Sequence, residues 1–78
     1  MSIEDQMTAA IANAIPGAEI NVRGGGGHFE IHVVSEQFAG KRLIQKHRLV
    51  LTAIKELMAG DSAPVHAIDK LVCEVPAS

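Results

Sequence analysis

Four histidines and one cysteine are the side chains of this 78-residue chain best suited to bind a transition metal. Imidazole and thiolate groups are the usual protein ligands of iron and zinc. His28 and His66 stand near the starts of two segments with strand character, His32 lies inside the first of these, and His47 lies in a helical segment. Cys73 is a lone cysteine, which excludes an internal disulfide and any metal site made of cysteines alone.

The spacing of these residues limits which of them can act together. On an extended strand His28 and His32 point to the same face but stand about 13 Å apart, too far for one zinc ion to bind both. His47 falls on the apolar side of its helix, so we expect a packed, hydrogen-bonded histidine where helix and sheet meet. Cys73 has no activating neighbour in the sequence and is expected to be a small apolar filler.

Hydrophobic periodicity and turn residues predict the elements that position these side chains. The first segment has helical periodicity, begins at a capping residue, Ser2, and ends before Pro16. Two alternating segments then flank four consecutive glycines, which close a hairpin easily because glycine adopts positive φ. The predicted elements are, in order, a helix over residues 2–14, strands over 18–23 and 28–34, a single turn over 36–39, a long helix over 41–59 and a strand over 65–73.

The long helix has an apolar line and a basic side. The apolar line consists of Leu43, His47, Val50, Ile54 and Leu57, with Leu51 and Met58 beside it. Five of the seven basic residues of the chain fall in this segment, and they form what we call the basic surface: Lys41, Arg42, Lys46, Arg48 and Lys55. Lys41, Arg48 and Lys55 recur every seven residues and are predicted to line one helix face. Three interpretations stay open: a solvated face, a docking surface for an acidic partner, or a contact with DNA phosphates.

The last predicted strand alternates poorly. One face would carry His66, Ile68, Lys70 and Val72, and the other Val65, Ala67, Asp69 and Leu71. A bulge or an edge position would explain this pattern. Because a helix connects the second strand to the third, we expect a right-handed crossover that makes these two strands parallel. Their starts, with His28 and His66, then lie at the same end of the sheet, about 5 Å apart if the strands are neighbours and about twice that otherwise.

Size and composition predict a single domain, residues 1–78, with an aliphatic core, since 47% of the residues are hydrophobic but only 3% aromatic. A net charge of −2 argues against an overall attraction to nucleic acid. The start of the chain lacks the pattern of a secretion signal, and no apolar run approaches the roughly 20 residues of a membrane span, so a cytoplasmic location is expected. The sequence contains no recognisable carboxylate pair, activated nucleophile or phosphate loop, and no enzymatic activity is expected.

Two separated motifs occur in the order and spacing of the BolA family. The first runs from Val33-Val34-Ser35 through Phe38-Ala39-Gly40 to Lys46-His47-Arg48-Leu49-Val50, and the second is Val65-His66-Ala67-Ile68. The chain therefore resembles BolA-like proteins over most of its length. The resemblance implies a class II KH-like α+β fold, ordered α-β-β-α-α-β, with a three-stranded mixed sheet packed against helices.

The resemblance also implies a function. BolA-like proteins are adaptors that bind a monothiol glutaredoxin and share a bridging 2Fe-2S cluster with it, and the family is linked to iron homeostasis and transcription regulation. His66 would be one ligand, and a Cys or His near the hairpin, here His28, would be a second. A glutaredoxin cysteine and glutathione would complete the set, and the protein would be a monomer alone and a heterodimer with glutaredoxin. The residues by themselves also allow His66 to be an ordinary surface histidine and His28 a polar strand residue.

A KH-like fold leaves a second interpretation open, a nucleic-acid-binding transcriptional regulator. The four glycines formally match the Gly-x-x-Gly loop with which KH domains clamp a nucleic-acid backbone. That loop joins two helices in KH domains but two strands here, and the corresponding position reads Phe38-Ala39-Gly40-Lys41. This alternative therefore rests on the basic surface.

Overall fold

Helices and strands follow one another in the predicted order in the computed structural model, which describes residues 2–60 and 62–77. The elements are α1 (Ile3–Ala14), β1 (Glu19–Gly25), β2 (His28–Val34), a 3-10 turn (Glu36–Phe38), α2 (Leu43–Ala53), α3 (Lys55–Met58) and β3 (Ala67–Glu74). Within these ranges the three strands form one mixed sheet, so the predicted α+β fold is confirmed. None of the helices in the same ranges has the length and hydrophobicity needed to cross a bilayer.

The first helix, α1, forms where the sequence predicts it. The Ser2 hydroxyl accepts a hydrogen bond of 3.1 Å from the backbone N–H of Asp5, and this satisfies one of the amides that a helix leaves free at its start. Met7 and Ile11, one helical turn apart, are completely buried, and so is Ile15 at the end of the helix. One face of α1 therefore covers the sheet.

The hairpin between β1 and β2 is closed by Gly26 and Gly27. Their φ angles of +63° and +85° are positive at both central positions of the turn, as a type I′ hairpin turn requires. The two strands are antiparallel, with Gly25 opposite His28. The predicted hairpin is confirmed, and β1 extends two residues further than predicted, into the glycines.

The third strand, β3, lies parallel to β2 at an edge of the sheet, whose order is β1-β2-β3. The predicted parallel pairing is confirmed, although β3 begins at Ala67 rather than at Val65. The register shifts along the pair: Phe29 faces Ile68, whereas Glu30 faces Lys70. Asp69 is thus an extra residue, which makes a β-bulge.

This bulge explains the poor alternation of the last strand. In a regular strand Ile68 and Leu71 would point to opposite faces, as the sequence predicts. That prediction is wrong, because the extra residue between them turns both side chains toward the core. Both explanations that the sequence left open therefore apply, since β3 contains a bulge and is an edge strand.

The predicted continuous helix over residues 41–59 is wrong in its extent. α2 begins only at Leu43, and the Gln45 side chain accepts a hydrogen bond of 3.0 Å from the backbone N–H of Arg42 at its start. The chain leaves helical geometry at Ile54, where φ is −108° and ψ is 9°, before the short α3. Ile54 is completely buried, and neither glycine nor proline marks the break in the sequence.

The core lies between one face of the sheet and the helices. Along β2, Phe29, Ile31 and Val33 are buried, whereas His28 and His32 are exposed on the opposite, outer sheet face. Further polar side chains on this outer sheet face include Arg23 on β1, Glu30 on β2 and Asp69, Lys70 and Glu74 on β3.

Leu43 does not belong to the core, although the sequence predicts it on the apolar line of the long helix. Its side chain is 65% exposed, because it lies in the first turn of α2, away from the part of the helix that covers the sheet. Val50 and Ile54, further along the same line, are completely buried as predicted.

Candidate functional site

His66 lies one residue before β3, against the hairpin turn. Its backbone N–H donates a hydrogen bond of 2.8 Å to the carbonyl oxygen of Gly27, which also accepts one of 3.0 Å from Ala67. The imidazole lies so close to Gly27 that a β-carbon on this glycine would overlap ring atom Cδ2. The ring therefore packs against the turn. The residue is nevertheless exposed, so it is accessible from solution.

His28 begins β2 at the same end of the sheet. Its partner across the parallel pairing is Ala67, the residue that follows His66, so the predicted meeting of the two strand starts is confirmed. Nδ1 of His28 is 3.1 Å from Oδ1 of Asp69. The two side chains line a groove of about 430 Å³ beside the hairpin, together with Arg23 and Glu30.

Two further pairs of polar side chains form on the outer sheet face. Arg23 pairs with Glu30 at 3.1 Å across β1 and β2. His32 pairs with Glu74, with 2.6 Å between Nε2 and Oε1. Exposed pairs of this kind stabilise a fold by at most about 1 kcal/mol each, so they serve mainly to orient side chains.

Nowhere in residues 2–60 and 62–77 do three side chains of His, Cys, Asp or Glu converge as a metal site would require. At the hairpin end of the sheet the described chain therefore offers two imidazoles, His28 and His66. Iron–sulfur clusters usually take four protein ligands. A cluster held at this end would need its remaining ligands from a second molecule.

His47 lies on α2, and Cys73 lies near the end of β3 that is opposite His66. Nε2 of His47 is buried without a hydrogen-bond partner among the described residues, so the prediction of a hydrogen-bonded ring is wrong for this nitrogen. The residue as a whole is half-buried on α2. Cys73 is part of the core, as predicted. Burial raises the pKa of its thiol, and the nearby Lys46 ammonium opposes this only in part.

The basic surface is divided between several elements. Lys41 and Arg42 precede α2, Arg48 lies within it, and Lys55 begins α3. The predicted single helix face through Lys41, Arg48 and Lys55 holds only in part: Lys41 and Arg48 line one groove along α2, but Lys41 precedes the helix and the helix breaks before Lys55. These four cations are exposed and Lys46 is half-buried, and none of the five forms a salt bridge with a described residue.

Comparison with known proteins settles the relationship that the two motifs indicate. The family model described as BolA-like protein matches residues 4–74. This chain belongs to the BolA-like family. It is similar to Protein BOLA2 of Arabidopsis thaliana, with 43% identity over 58 residues, which are 73% of this chain and 58% of that protein. This BolA-like chain thus aligns with less than two thirds of the length of BOLA2.

Solved structures of BolA-like proteins share the fold. BolA1 from Arabidopsis thaliana superimposes with a TM-score of 0.81 at 23% identity, covering 97% of this chain and 94% of that one. A BolA protein homologue from Coxiella burnetii gives a TM-score of 0.77 at 27% identity with the same coverage of both chains. The mixed sheet and its helices are therefore the fold of the family.

Two features of this BolA-like site do not follow from the sequence alone. The glycine run predicts that Gly27 is part of a turn, but not that the His66 ring lies against it. Regular alternation predicts Asp69 on the face opposite His66, whereas in the structure a bulge sets its direction and brings it to His28. The poor alternation around Asp69 was the one signal in the sequence that could have revealed this contact.

Proposed function

We propose that this BolA-like protein is a non-enzymatic adaptor that binds a monothiol glutaredoxin and shares a bridging 2Fe-2S cluster with it. His66 and His28 are this chain's ligands, and a glutaredoxin cysteine and glutathione provide the others. The protein acts in the cytoplasm, as a monomer alone and a heterodimer with its partner. The observation that carries the proposal is the exposed His66 ring, held against Gly27 at the end of the sheet where His28 begins β2.

The imidazoles of His28 and His66 suit a cluster whose remaining ligands are thiolates. In Rieske centres two imidazoles replace two thiolates on one iron, and this replacement raises the reduction potential. The two candidate imidazoles are exposed, whereas the thiol of Cys73 is buried with a raised pKa. In this role the cluster is cargo, a source of iron and sulfide for a recipient, and this chain contributes imidazole ligands and a surface for the partner.

The proposal is tested by mixing the protein with a cluster-loaded monothiol glutaredoxin and glutathione under anaerobic conditions. The native protein is expected to change the visible circular dichroism of the cluster, because an imidazole ligand replaces a thiolate. His66→Ala should abolish this change. His32→Ala is the matched control, since it removes an exposed imidazole of the same sheet that pairs with Glu74 instead. A His66→Ala protein with the spectrum and cluster stability of the native protein would falsify the ligand role.

A second candidate function, a transcriptional regulator that binds nucleic acid, is supported by the basic surface. Lys41, Arg42, Arg48 and Lys55 are exposed and have no salt bridge with a described residue. Unpaired cations on one part of a surface are suited to phosphate backbones, to which they bind in a salt-dependent way. A mobility assay with duplex DNA at low salt tests this function, and a complete absence of binding removes it.

A further inference from the structure

We infer that Asp69 is a positioning residue for His28, which it holds in the tautomer and orientation that leave Nε2 free to bind a metal. The inference deepens the proposed function and rests on it, because it concerns His28 as a cluster ligand. Its first consequence, the position of a proton on an imidazole, is nevertheless a property of the isolated protein and is measurable without iron.

The contact between the two side chains fixes the proton. Nδ1 of His28 is 3.1 Å from Oδ1 of Asp69. An ionised carboxylate can only accept hydrogen bonds, so a neutral His28 carries its proton on Nδ1 and keeps a lone pair on Nε2. Histidines that bind metals commonly donate the N–H of the other ring nitrogen to a carboxylate, which fixes the tautomer and makes the ligand nitrogen more basic. His28 and Asp69 form the protein half of such an arrangement.

The β-bulge makes this contact possible. Asp69 is the extra residue between the pairs Phe29–Ile68 and Glu30–Lys70. Bulges redirect side chains, and here Asp69 and Lys70 are consecutive residues that both reach the outer sheet face. In a regular strand two successive side chains point to opposite faces. Asp69 could not then have met His28 while Lys70 stayed beside Glu30.

The charged side chains around His28 and Asp69 leave Asp69 free to pair with His28. Arg23, an arginine that lines the shared groove, is 3.1 Å from Glu30 and pairs with that residue. Among the described residues, His28 is the one salt-bridge partner of Asp69. The side chains of His28 and Asp69 are 60% and 55% exposed, so a partner protein can reach the ring.

His32 provides an internal comparison. Its contact with a carboxylate involves Nε2, which is 2.6 Å from Oε1 of Glu74. Two histidines of one strand and one sheet face thus present opposite ring nitrogens to the carboxylates of β3. Glu74→Ala removes the partner of His32 and changes the net charge as much as Asp69→Ala does, without touching His28. It is therefore a matched control.

The first test measures the tautomer of each histidine in the isolated protein. Long-range nitrogen–proton spectra of the nitrogen-labelled protein are expected to show the neutral ring of His28 protonated on Nδ1. Asp69→Ala should convert His28 to a mixture of tautomers, and Asp69→Asn, which has nearly the same shape, should do so as well because its amide can donate to Nδ1 as readily as accept from it. Glu74→Ala should alter only His32. An unchanged His28 tautomer in Asp69→Ala overturns the inference.

The second test follows the cluster shared with glutaredoxin. Asp69→Ala should weaken binding of the cluster by about 10- to 100-fold, the usual loss of metal affinity when a residue that orients a metal ligand is removed. Asp69→Asn should also weaken binding, because an amide does not hold His28 in one tautomer, and Glu74→Ala should match the native protein. If the native cluster requires His66 but survives unchanged in Asp69→Ala and His28→Ala, the positioning role is overturned and the proposed function stands. If the native protein takes up no cluster, the proposed function fails and the metal-binding role of the pair fails with it.

Discussion

The imidazole of His66 lies against the α-carbon of Gly27, and a backbone hydrogen bond of 2.8 Å joins the same two residues. The hairpin turn and the residue before β3 are therefore fixed to each other, although they are far apart in the sequence. Any change in the turn that moves Gly27 also moves the candidate ligand. The glycine turn is thus a structural part of the site.

Gly27→Ala is expected to displace the His66 ring and to impair cluster sharing. The new β-carbon would overlap the ring, and alanine would be held at a φ of +85°, a conformation that costs about 1–3 kcal/mol. Gly26→Ala is the control, since φ is +63° there but a β-carbon would have no atom within 4 Å. Chemical denaturation should show both variants destabilised. The imidazole resonances of His66 should shift in Gly27→Ala alone, and unshifted resonances would contradict the contact.

Ile54→Ala and Ile44→Ala should differ strongly in stability, although both lie in the segment predicted as one helix. Ile54 is completely buried at the break between α2 and α3, whereas Ile44 is 57% exposed. Truncating a buried isoleucine costs about 2–5 kcal/mol, and an exposed substitution usually costs less than about 0.5 kcal/mol. Denaturant unfolding monitored by far-ultraviolet circular dichroism measures both values. Equal losses of stability would mean that Ile54 is not part of the core.

Cys73 should make the stability of the protein depend on pH in the alkaline range. Burial raises the pKa of its thiol above that of an unfolded cysteine, about 8.5. The unfolded chain therefore loses the thiol proton first as the pH rises, and the folded state loses stability. The contribution of the thiol should be complete below about pH 8.5 and should decrease as the pH rises through the higher pKa of the folded state.

Denaturant unfolding of the native protein and of Cys73→Ala, under reducing conditions at a series of pH values, isolates this effect. The free energy of unfolding of the native protein should fall relative to that of the variant as the pH increases. A constant difference between the two proteins across the alkaline range would show that the thiol has the same pKa in both states.

Binding of duplex DNA, if it occurs at the basic surface, should depend on Arg48. Removing one cation that contacts a phosphate lowers the slope of log K against log salt by about one. Arg48→Gln should therefore weaken binding and reduce this slope. Arg23→Gln is the control, because Arg23 lies in the hairpin and pairs with Glu30. Equal effects of the two substitutions, measured by fluorescence anisotropy, would indicate attraction to overall charge instead of a defined surface.

Most of the fold could be predicted from local patterns. The alternation of Phe29, Ile31 and Val33 predicts a strand with one buried face, and the glycine run predicts the hairpin, because both depend on neighbouring residues alone. The parallel pairing of β2 and β3 follows from the helical connection between them. The break at Ile54 could not be predicted, since the apolar periodicity continues through it and the break depends on tertiary packing.

The site was predictable only in outline. Topology alone places His28 and His66 at one end of the sheet, and the structure joins Ala67 to His28 there. The partner of His28 was not predictable, because one extra residue in β3 decides whether Asp69 faces the core or the outer sheet face. Likewise, the exposure of Leu43 depends on where α2 begins relative to the sheet, and a periodic pattern does not contain that information.

The bulge at Asp69 also affects whether the edge strand β3 can pair with a strand of another molecule. β3 borders the sheet, so its free backbone groups could recruit a strand from another molecule. An irregular strand with charged side chains is a poor template for such recruitment. The extra residue that brings Asp69 to His28 also interrupts the regular spacing of the amides, and Asp69, Lys70 and Glu74 place charges along the border. One inserted residue thus both brings Asp69 to His28 and makes this border of the sheet a poor template for pairing with another molecule.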